Sequence, residues 1–241
     1  MNYVTFDVND RVGLLTMNYK DENRFHPDFM SEVLATLDSA EKDPAVGAIV
    51  FTGANPKFFS NGLDLEWIMM NMADPAAVMN YLKTINLMYK RVCIYPKPIV
   101  AALNGHTFAG GLFLAAHMDF RFMREDRGWI CLPEVDINIP LLPGMIAICQ
   151  ATMTSQGFRE LYYSARRMTG PEAAAIGFAD RLFPENELLP KSIEFASALA
   201  KKKTATYAEM KYRIRGDIAK LLDEVDPGYF AKTLSFSMPS K

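Results

Sequence analysis

The hydrophobic positions change spacing along the chain, and each change marks a predicted element. Residues Tyr3 to Val8 alternate apolar and polar side chains, and a second apolar run covers Val12 to Met17. This pattern predicts a β-hairpin that turns at Asn9 and Asp10. Apolar residues then recur at helical spacing from Phe29 to Lys42, which predicts the first helix.

Short buried strands and helices alternate through the middle of the chain. The predicted strands are Ala48 to Thr52, Ile99 to Leu103, Phe120 to Met123, Trp129 to Leu132 and Arg181 to Phe183. The predicted helices are Leu65 to Met72, Pro75 to Val92, Gly110 to His117, Leu142 to Thr152, Ser155 to Ser164 and Pro171 to Gly177. Alternation of this kind indicates an α/β fold.

The pattern after residue 183 contains no further strand. From Glu187 onward the chain is helical by its periodicity, with predicted helices at Leu188 to Lys203, Ala205 to Asp217 and Pro227 to Leu234. We therefore predict two regions, an α/β core over residues 1–186 and a C-terminal helical region over residues 187–241.

Composition narrows the class of protein. Half of the 241 residues are hydrophobic and the net charge is -2, which argues against disorder and against a protein built mainly to hold nucleic acid. Pro98 to Met118 contains no charged residue, but Asn104 to Thr107 interrupt it, so a strand, a turn and a helix explain it better than a membrane span. The three widely spaced cysteines predict buried free thiols in a reducing compartment.

Three segments carry candidate chemistry. Phe58 to Leu65 and Asn104 to Gly111 each place glycine just before or at a predicted helix start, where free backbone N–H groups could hold a developing negative charge. Glu134 lies in an otherwise apolar run, where burial would raise its pKa and suit a general base. Taken singly, the glycine segments could be ordinary turns and the glutamate an exposed loop acid. The three histidines lack metal-ligand spacing, so no metal site is predicted.

In their order and spacing these segments resemble the enoyl-CoA hydratase/isomerase, or crotonase, family. The resemblance also includes Lys97 to Gly105, Pro133 followed by Glu134, and Met168 to Ala173 followed by Gly177 to Asp180. It implies a spiral of strand–strand–helix turns with two nearly perpendicular sheets. It further implies that the C-terminal helices form a homotrimer or a dimer of trimers.

The resemblance assigns roles residue by residue. The backbone N–H groups of Leu63 and Gly110 match the family's oxyanion pair, which binds the thioester carbonyl of an acyl-CoA. Glu134 matches a catalytic glutamate. Ser60 and Asn61 lie where the family's loop contacts CoA. Candidate walls of the acyl pocket are Met69, Met70, Phe113, Ile137 and Ile139, although plain core packing would explain these apolar residues equally well. No separate cofactor is implied, because the substrate carries the CoA.

One departure from the family's hydratases is informative. Their second catalytic glutamate belongs three residues after Gly110, and this chain has Phe113 there. Phenylalanine can neither donate nor accept a proton, whereas a single base suffices to move a double bond. The sequence therefore looks closest to the Δ3,Δ2-enoyl-CoA isomerases of fatty-acid β-oxidation. A second departure at Pro140 to Gly144 leaves the acyl specificity open.

Other functions stay open at this point. The alternatives within the family are a hydratase, a decarboxylase or a thioesterase, and Asp136 could act in either of the last two, although it could also be a plain loop acid. A non-catalytic homologue could simply bind acyl-CoA. The basic residues Lys201 to Lys203, Lys211, Arg213 and Arg215 could contact RNA, although a solvated helix surface or a contact with the CoA phosphates is the simpler interpretation. No membrane insertion is expected. With no signal peptide at the start and no Ser-Lys-Leu ending, we expect a cytoplasmic location, with the peroxisome as the alternative.

Overall fold

Strands and helices alternate along the structure, a computed structural model that describes residues 2–237. The strands are β1 Val4–Asn9, β2 Val12–Met17, β3 Arg24–Phe25, β4 Ala48–Gly53, β5 Phe58–Ser60, β6 Gly62–Leu63, β7 Ile99–Leu103, β8 His106–Phe108, β9 Phe120–Arg124, β10 Ile130–Cys131 and β11 Arg181–Phe183. The helices are α1 Pro27–Lys42, α2 Leu65–Met70, α3 Pro75–Cys93, α4 Gly110–His117, α5 Pro143–Thr152, α6 Ser155–Ser164, α7 Gly170–Ala175, α8 Glu185–Leu199, α9 Thr204–Lys220 and α10 Phe230–Ser237.

The strands form one large sheet and two small ones. The large sheet has the order β1-β2-β4-β7-β9-β11, in which β1 and β2 are antiparallel and the other pairs are parallel. A three-stranded sheet has the order β10-β8-β5, and β3 pairs with β6. Successive strands therefore leave the large sheet for a small one before a helix returns the chain, as the predicted strand–strand–helix turns require.

The turn at Asn104 and Gly105 moves the chain from the large sheet to the three-stranded one. A Cβ atom on Gly105 would lie 2.3 Å from the carbonyl group of Lys57, so only glycine permits this close approach. The Asn104 side chain accepts a hydrogen bond from Gly53 N at 2.9 Å and donates to the carbonyls of Gly53 and Asn55. The predicted turn thus also fastens the end of β7 to the end of β4.

Two hydrophobic clusters cover the two faces of the large sheet. The larger one contains Phe29, Phe51 and Phe113 and fills the space between the sheets and helices α1, α3 and α4. The smaller one packs Leu188 and Ala196 of α8 against the opposite face. Because both faces are covered, all six residues of β4 are buried, which explains its continuous apolar run.

The sequence pattern missed the shortest strands. Strands β3 and β6 have two residues each, too few to show a period, and β8 contains polar His106 and Thr107. Thr107 is nevertheless fully buried and donates its hydroxyl to the carbonyl of Gly105 at 3.1 Å. A polar side chain that bonds locally can therefore occupy a buried strand without producing an apolar signal.

From residue 187 to residue 237 the chain is mostly helical, and α8 packs against the core. The predicted boundary after residue 186 falls inside α8, whose side chains pack on the large sheet. The predicted basic cluster also divides. Lys211 is buried and pairs with Asp119 at 2.6 Å, and Arg215 contacts the same carboxylate at 3.3 Å. These two cations fasten α9 to the core, so the interpretation of the cluster as a solvated surface is wrong for them.

Several further predictions concern single features. Cys93, Cys131 and Cys149 are free and buried, which confirms the prediction of buried free thiols. Between residues 2 and 237, no helix is long and apolar enough to cross a membrane. In the same range, no group of three His, Cys, Asp or Glu side chains is arranged to hold a metal ion. Residues 238–241, which carry the C-terminal sequence considered for targeting, lie outside the described residues.

Candidate active site

The two glycine-containing segments meet at their backbones. Gly62 has a φ of +75°, and a Cβ atom there would lie 2.3 Å from Gly110 N. A Cβ on Gly110 would in turn come within 3.0 Å of both Gly62 Cα and the Leu63 side chain. Glycine is required here by conformation and by space, because any side chain would separate the segments. The predicted pair of Leu63 and Gly110 is therefore brought together.

Buried polar contacts fix the first segment. Ser60 is fully buried, and its hydroxyl donates to the carbonyl of Asn23 at 2.7 Å and accepts from Gly62 N at 3.1 Å. The Asn23 side chain accepts from Tyr19 N and donates to the carbonyl of Phe59. Asn23 itself has a φ of +47°, a conformation that asparagine tolerates better than most residues. Together these bonds fix the shape of the chain from Phe59 to Gly62.

The second segment begins α4 with an unusual backbone. Ala109, the residue before the helix, has a φ of +50° and a ψ of -126°, a strained conformation for a residue with a Cβ atom. Gly110 N is the first helical N–H, and no acceptor contacts it in the part of the chain that the structure describes. Gly111 packs so tightly that a Cβ would lie 2.3 Å from the carbonyl oxygen of Ser60. The strain at Ala109 thus orients an unpaired N–H.

Glu134 lies in a short 3₁₀ helix, Pro133–Val135, and is 5% exposed. Burial raises the pKa of Glu134 from its ordinary value of 4.5 to about 8, and its own backbone N–H opposes the shift weakly. No hydrogen-bond partner reaches Oε2 among residues 2–237. A buried carboxyl with an unpaired oxygen and a pKa near neutrality has the properties of a general base.

An apolar cavity of about 260 Å³ adjoins these groups. Its polar and charged side chains are few, and Glu134 is the only acid among them in the described chain. Its walls are Arg24, Asn61, Leu63, Leu65, Leu82, Phe108, Ala109, Phe113, Pro133, Glu134, Ile137, Ile139, Pro140, Leu141, Leu142, Met145, Phe230 and Thr233. The carboxyl group therefore faces a largely water-excluding space, which agrees with its raised pKa.

A second apolar cavity of about 410 Å³ continues from the first. Both are lined by Leu63, Leu65, Leu82, Ile137, Ile139 and Thr233. The second also contacts Ile68, Met69 and Met72, which belong to α2 and the turn after it. Together the two cavities form an apolar groove between α2, α3 and α10. We call them the inner and the outer cavity.

Most predicted site residues lie at this groove. Leu63, Asn61, Phe113, Ile137 and Ile139 line the inner cavity, and Met69 lines the outer one. The Ser60 side chain is not brought to either cavity, because both of its hydrogen-bonding directions are used inside the loop.

Two other candidates from the sequence also lie elsewhere. Met70 is 74% exposed and lines neither cavity, and Asp136 is exposed and outside both. The adjacent Ile137 does line the groove, which places the two neighbours on opposite sides of the chain.

Sequence reasoning missed several walls of the inner cavity. Phe230 and Thr233 come from α10, about a hundred residues beyond Glu134, and Leu82 from α3. The sequence pattern placed these residues on predicted helices but did not indicate that they face the cavity. Arg24 was missed as well, although it directly follows Asn23, whose side chain fixes the first glycine segment. Arg24 also lines a polar cavity of about 290 Å³ together with Lys20 and Asp64.

Comparisons with known proteins agree with this architecture. Residues 7–226 match the family described as Enoyl-CoA hydratase/isomerase. Arabidopsis thaliana enoyl-CoA delta isomerase 2, peroxisomal, is 35% identical over 218 residues, which are 87% of this chain and 90% of that protein.

Solved structures give the same result. An enoyl-CoA hydratase/isomerase family protein from Pseudomonas syringae superposes with a TM-score of 0.88 at 26% identity, covering 96% of this chain and 98% of that one. Human mitochondrial delta3-delta2-enoyl-CoA isomerase superposes with a TM-score of 0.91 at 21% identity, covering 98% and 92%, a likeness of fold alone. The predicted crotonase-like α/β fold is confirmed.

Proposed function

The chain belongs to the enoyl-CoA hydratase/isomerase family, and we propose that it is a Δ3,Δ2-enoyl-CoA isomerase of fatty-acid β-oxidation. It would convert a 3-enoyl-CoA into the trans-2-enoyl-CoA. The observation that carries the proposal is the buried carboxyl group of Glu134, the one acid of the described chain that lines the inner cavity, beside two converging backbone segments.

The reaction needs two proton transfers by one base. Ionised Glu134 removes a proton from C2, and the electron pair moves onto the thioester oxygen to form an enolate. The N–H groups of Leu63 and Gly110 bind that oxygen, which lowers the barrier by stabilising the developing charge. Protonated Glu134 then delivers the proton to C4, where the former C3–C4 π electrons bind it. The thioester carbonyl re-forms as the C1–C2 π electrons of the enolate become the C2–C3 double bond. Atoms and charge balance without any further reactant.

Phe113 is the main argument for isomerisation over hydration. It is 1% exposed, lies one turn into α4 and lines the same inner cavity as Glu134. Hydration requires a positioned water and groups that exchange protons with it. A phenyl ring supplies no such group and excludes water from the cavity.

The groove supports an acyl-CoA thioester as the substrate. The inner and outer cavities would hold the acyl chain, with Phe113, Ile137 and Ile139 in the inner one and Met69 in the outer one. Asn61 and Arg24 are polar groups on the wall, suited to the thioester end. CoA is part of the substrate, and no separate cofactor is proposed.

The test is an isomerase assay on cis- and trans-3-enoyl-CoA of several chain lengths, with formation of 2-enoyl-CoA as the readout. We expect turnover by the natural protein and loss of turnover in Glu134→Gln. Glu172→Gln is a matched control, because Glu172 caps α7 through Thr169 far along the chain from the cavity residues. Near-normal turnover by folded Glu134→Gln would refute the mechanism.

Other family activities are separated by the same experiment. Incubation with 2-enoyl-CoA tests hydration, malonyl-type thioesters test decarboxylation, and release of free CoA tests thioester hydrolysis. Tight acyl-CoA binding without any turnover would instead support a non-catalytic homologue. Asp136, considered for these activities, is exposed and lies outside both cavities, so no observation favours its participation.

Assembly is also a proposal. Helix α9 presents Met210, Tyr212 and Ile214 to solvent, with Ile214 73% exposed, and large exposed apolar side chains on one helix suit an interface. We propose that residues 187–241 contribute to a homotrimer or a dimer of trimers. Light scattering should give three or six copies, and Ile214→Glu should lower that number; a monomer at micromolar concentration would contradict this.

The cellular location is proposed as cytoplasmic, with the peroxisome as the alternative because one relative is named as peroxisomal. Two fluorescent fusions, one at the N-terminus and one at the C-terminus, would distinguish the two locations, because each leaves the other chain end free.

A further inference from the structure

Helix α3 carries two buried tyrosines that reach the two glycine segments separately. Tyr81 and Tyr89 are eight residues apart, about two helical turns, and each is at most 2% exposed. Asp64 N donates a hydrogen bond to the Tyr81 hydroxyl at 2.9 Å. The Tyr89 hydroxyl donates to the carbonyl of Gly110 at 3.0 Å. One helix is thus bonded to both segments.

Each hydroxyl holds the peptide group that follows a proposed oxyanion donor. Asp64 N belongs to the peptide after Leu63, and the Gly110 carbonyl belongs to the peptide after Gly110. Glycine has no side chain that packing could hold, so the position of Gly110 depends on its neighbours and on backbone bonds. The Tyr89 hydroxyl makes the one side-chain hydrogen bond to Gly110 in the described structure.

Packing fixes both rings. Tyr81 stacks on Trp67 with centroids 4.8 Å apart and planes at 20°. Tyr89 stacks on His117 at 5.0 Å and 8°, and meets Phe113 edge-on at 6.4 Å. Burial raises the pKa of both phenols well above 10, so both remain neutral hydroxyls. A rigid ring that carries a neutral hydroxyl can hold a backbone group in one position.

We propose that Tyr81 and Tyr89 are positioning residues that set the separation of the Leu63 and Gly110 N–H groups. The inference rests on the proposed function, because it concerns the oxyanion site of that reaction. Both N–H groups must lie within hydrogen-bond distance of one oxygen in the transition state, and small displacements of such donors are costly. Because both tyrosines belong to α3, the spacing of their hydroxyl groups along this helix helps to fix the distance between the two N–H groups.

The test removes one hydroxyl at a time and keeps the rings. The variants are Tyr81→Phe, Tyr89→Phe and the double variant. Tyr95→Phe is the matched control, because Tyr95 is fully buried on the same stretch of chain, donates its hydroxyl to the carbonyl of Leu37 at 2.9 Å and lines neither cavity. All four proteins lose one or two buried hydroxyl groups.

Two readouts separate positioning from general stability. The first is kcat and KM for a 3-enoyl-CoA. The second is the carbonyl stretching frequency of bound hexanoyl-CoA in difference infrared spectra, which reports polarisation by the N–H groups without any reaction. We expect kcat to fall about 10-fold in each single variant with KM nearly unchanged, less than the roughly 10²–10³-fold loss on removing a donor. The carbonyl shift should shrink in both variants and persist in Tyr95→Phe.

The proposal is overturned if Tyr81→Phe and Tyr89→Phe match Tyr95→Phe in kcat and carbonyl shift. It is also overturned if their losses appear in KM with the carbonyl shift intact. Tyr81→Phe leaves the buried N–H of Asp64 unpaired and could fail to fold. Tyr89→Phe then decides, because the Gly110 carbonyl still accepts within α4. If the natural protein binds hexanoyl-CoA but has no isomerase activity, the proposed function fails. The carbonyl shift of bound hexanoyl-CoA would still test whether Tyr81 and Tyr89 position the two N–H groups.

Discussion

Glu134 should lower the stability of the folded protein as the pH rises, and Glu134→Gln should remove that dependence. Burial raises the pKa of this carboxyl from 4.5 to about 8. Between these values the unfolded chain has released the proton while the folded protein still holds it. Raising the pH therefore favours unfolding through this window, and the stabilising protonated form is fully retained only below the unfolded pKa.

The size of the effect follows from the shift. Each unit of pKa difference corresponds to about 1.4 kcal/mol, so the free energy of unfolding should fall by about 3 to 4 kcal/mol between pH 5 and pH 8 from this group alone. Glutamine has nearly the same shape and does not ionise. Glu134→Gln should therefore resemble the natural protein at pH 5 and exceed it in stability by about that amount at pH 8.

The assay is urea unfolding of both proteins at half-unit intervals from pH 5 to pH 8, at one protein concentration so that assembly contributes equally. The difference between the two curves isolates Glu134. Glu172→Gln is the control: hydrogen bonds from Thr169 and Arg166 lower the pKa of Glu172 to about 2, so its pH-dependent contribution lies below this window. Its difference curve should be flat from pH 5 to pH 8.

A flat difference curve for Glu134→Gln would refute the reasoning, because it would mean that Glu134 titrates equally in folded and unfolded chains. A curve of opposite slope would mean that an unrecognised cation stabilises the carboxylate. Either result would also remove the argument that burial prepares this group as a base.

Further predictions concern the same site. The kcat/KM for a 3-enoyl-CoA should rise with pH and level off above about 8, because the base must be ionised; an optimum below pH 6 would contradict this. Gly62→Ala should lower kcat by more than about 100-fold, because its Cβ would lie 2.3 Å from Gly110 N at a φ of +75°, and normal turnover in folded protein would disprove the close approach. Phe113→Leu should keep isomerisation within about 10-fold, since the cavity stays apolar, whereas Phe113→Glu should abolish it and is the variant in which to look for hydration of a 2-enoyl-CoA. Ala109→Gly should raise the urea midpoint by the equivalent of about 1 kcal/mol, because it relieves a φ of +50°; a fall would show that the conformation is unstrained.

Much of the site could be predicted from the sequence because its chemistry depends on residue type at fixed spacing. Gly62, Gly110 and Glu134 stand in short motifs, and each occupies the kind of environment that its motif indicates. Ser60 shows the limit of such reasoning. Its position in the motif predicts contact with CoA, and the structure shows only that its hydroxyl bonds within its own loop, to the Asn23 carbonyl and Gly62 N. A contact with CoA therefore stays a prediction.

By itself the sequence determined the order of the helices and of the longer strands, the glycines that permit close backbone approach and the acid Glu134 in a largely apolar run. These are local properties, since periodicity and backbone freedom depend on near neighbours in the chain. The tertiary structure alone decided which distant residues meet. It places α10 against the acyl groove, buries Lys211 against Asp119, and brings two tyrosines of α3 to the two glycine segments. Such contacts depend on how distant segments of the chain pack against one another. The spacing of residues within a single segment does not specify that packing.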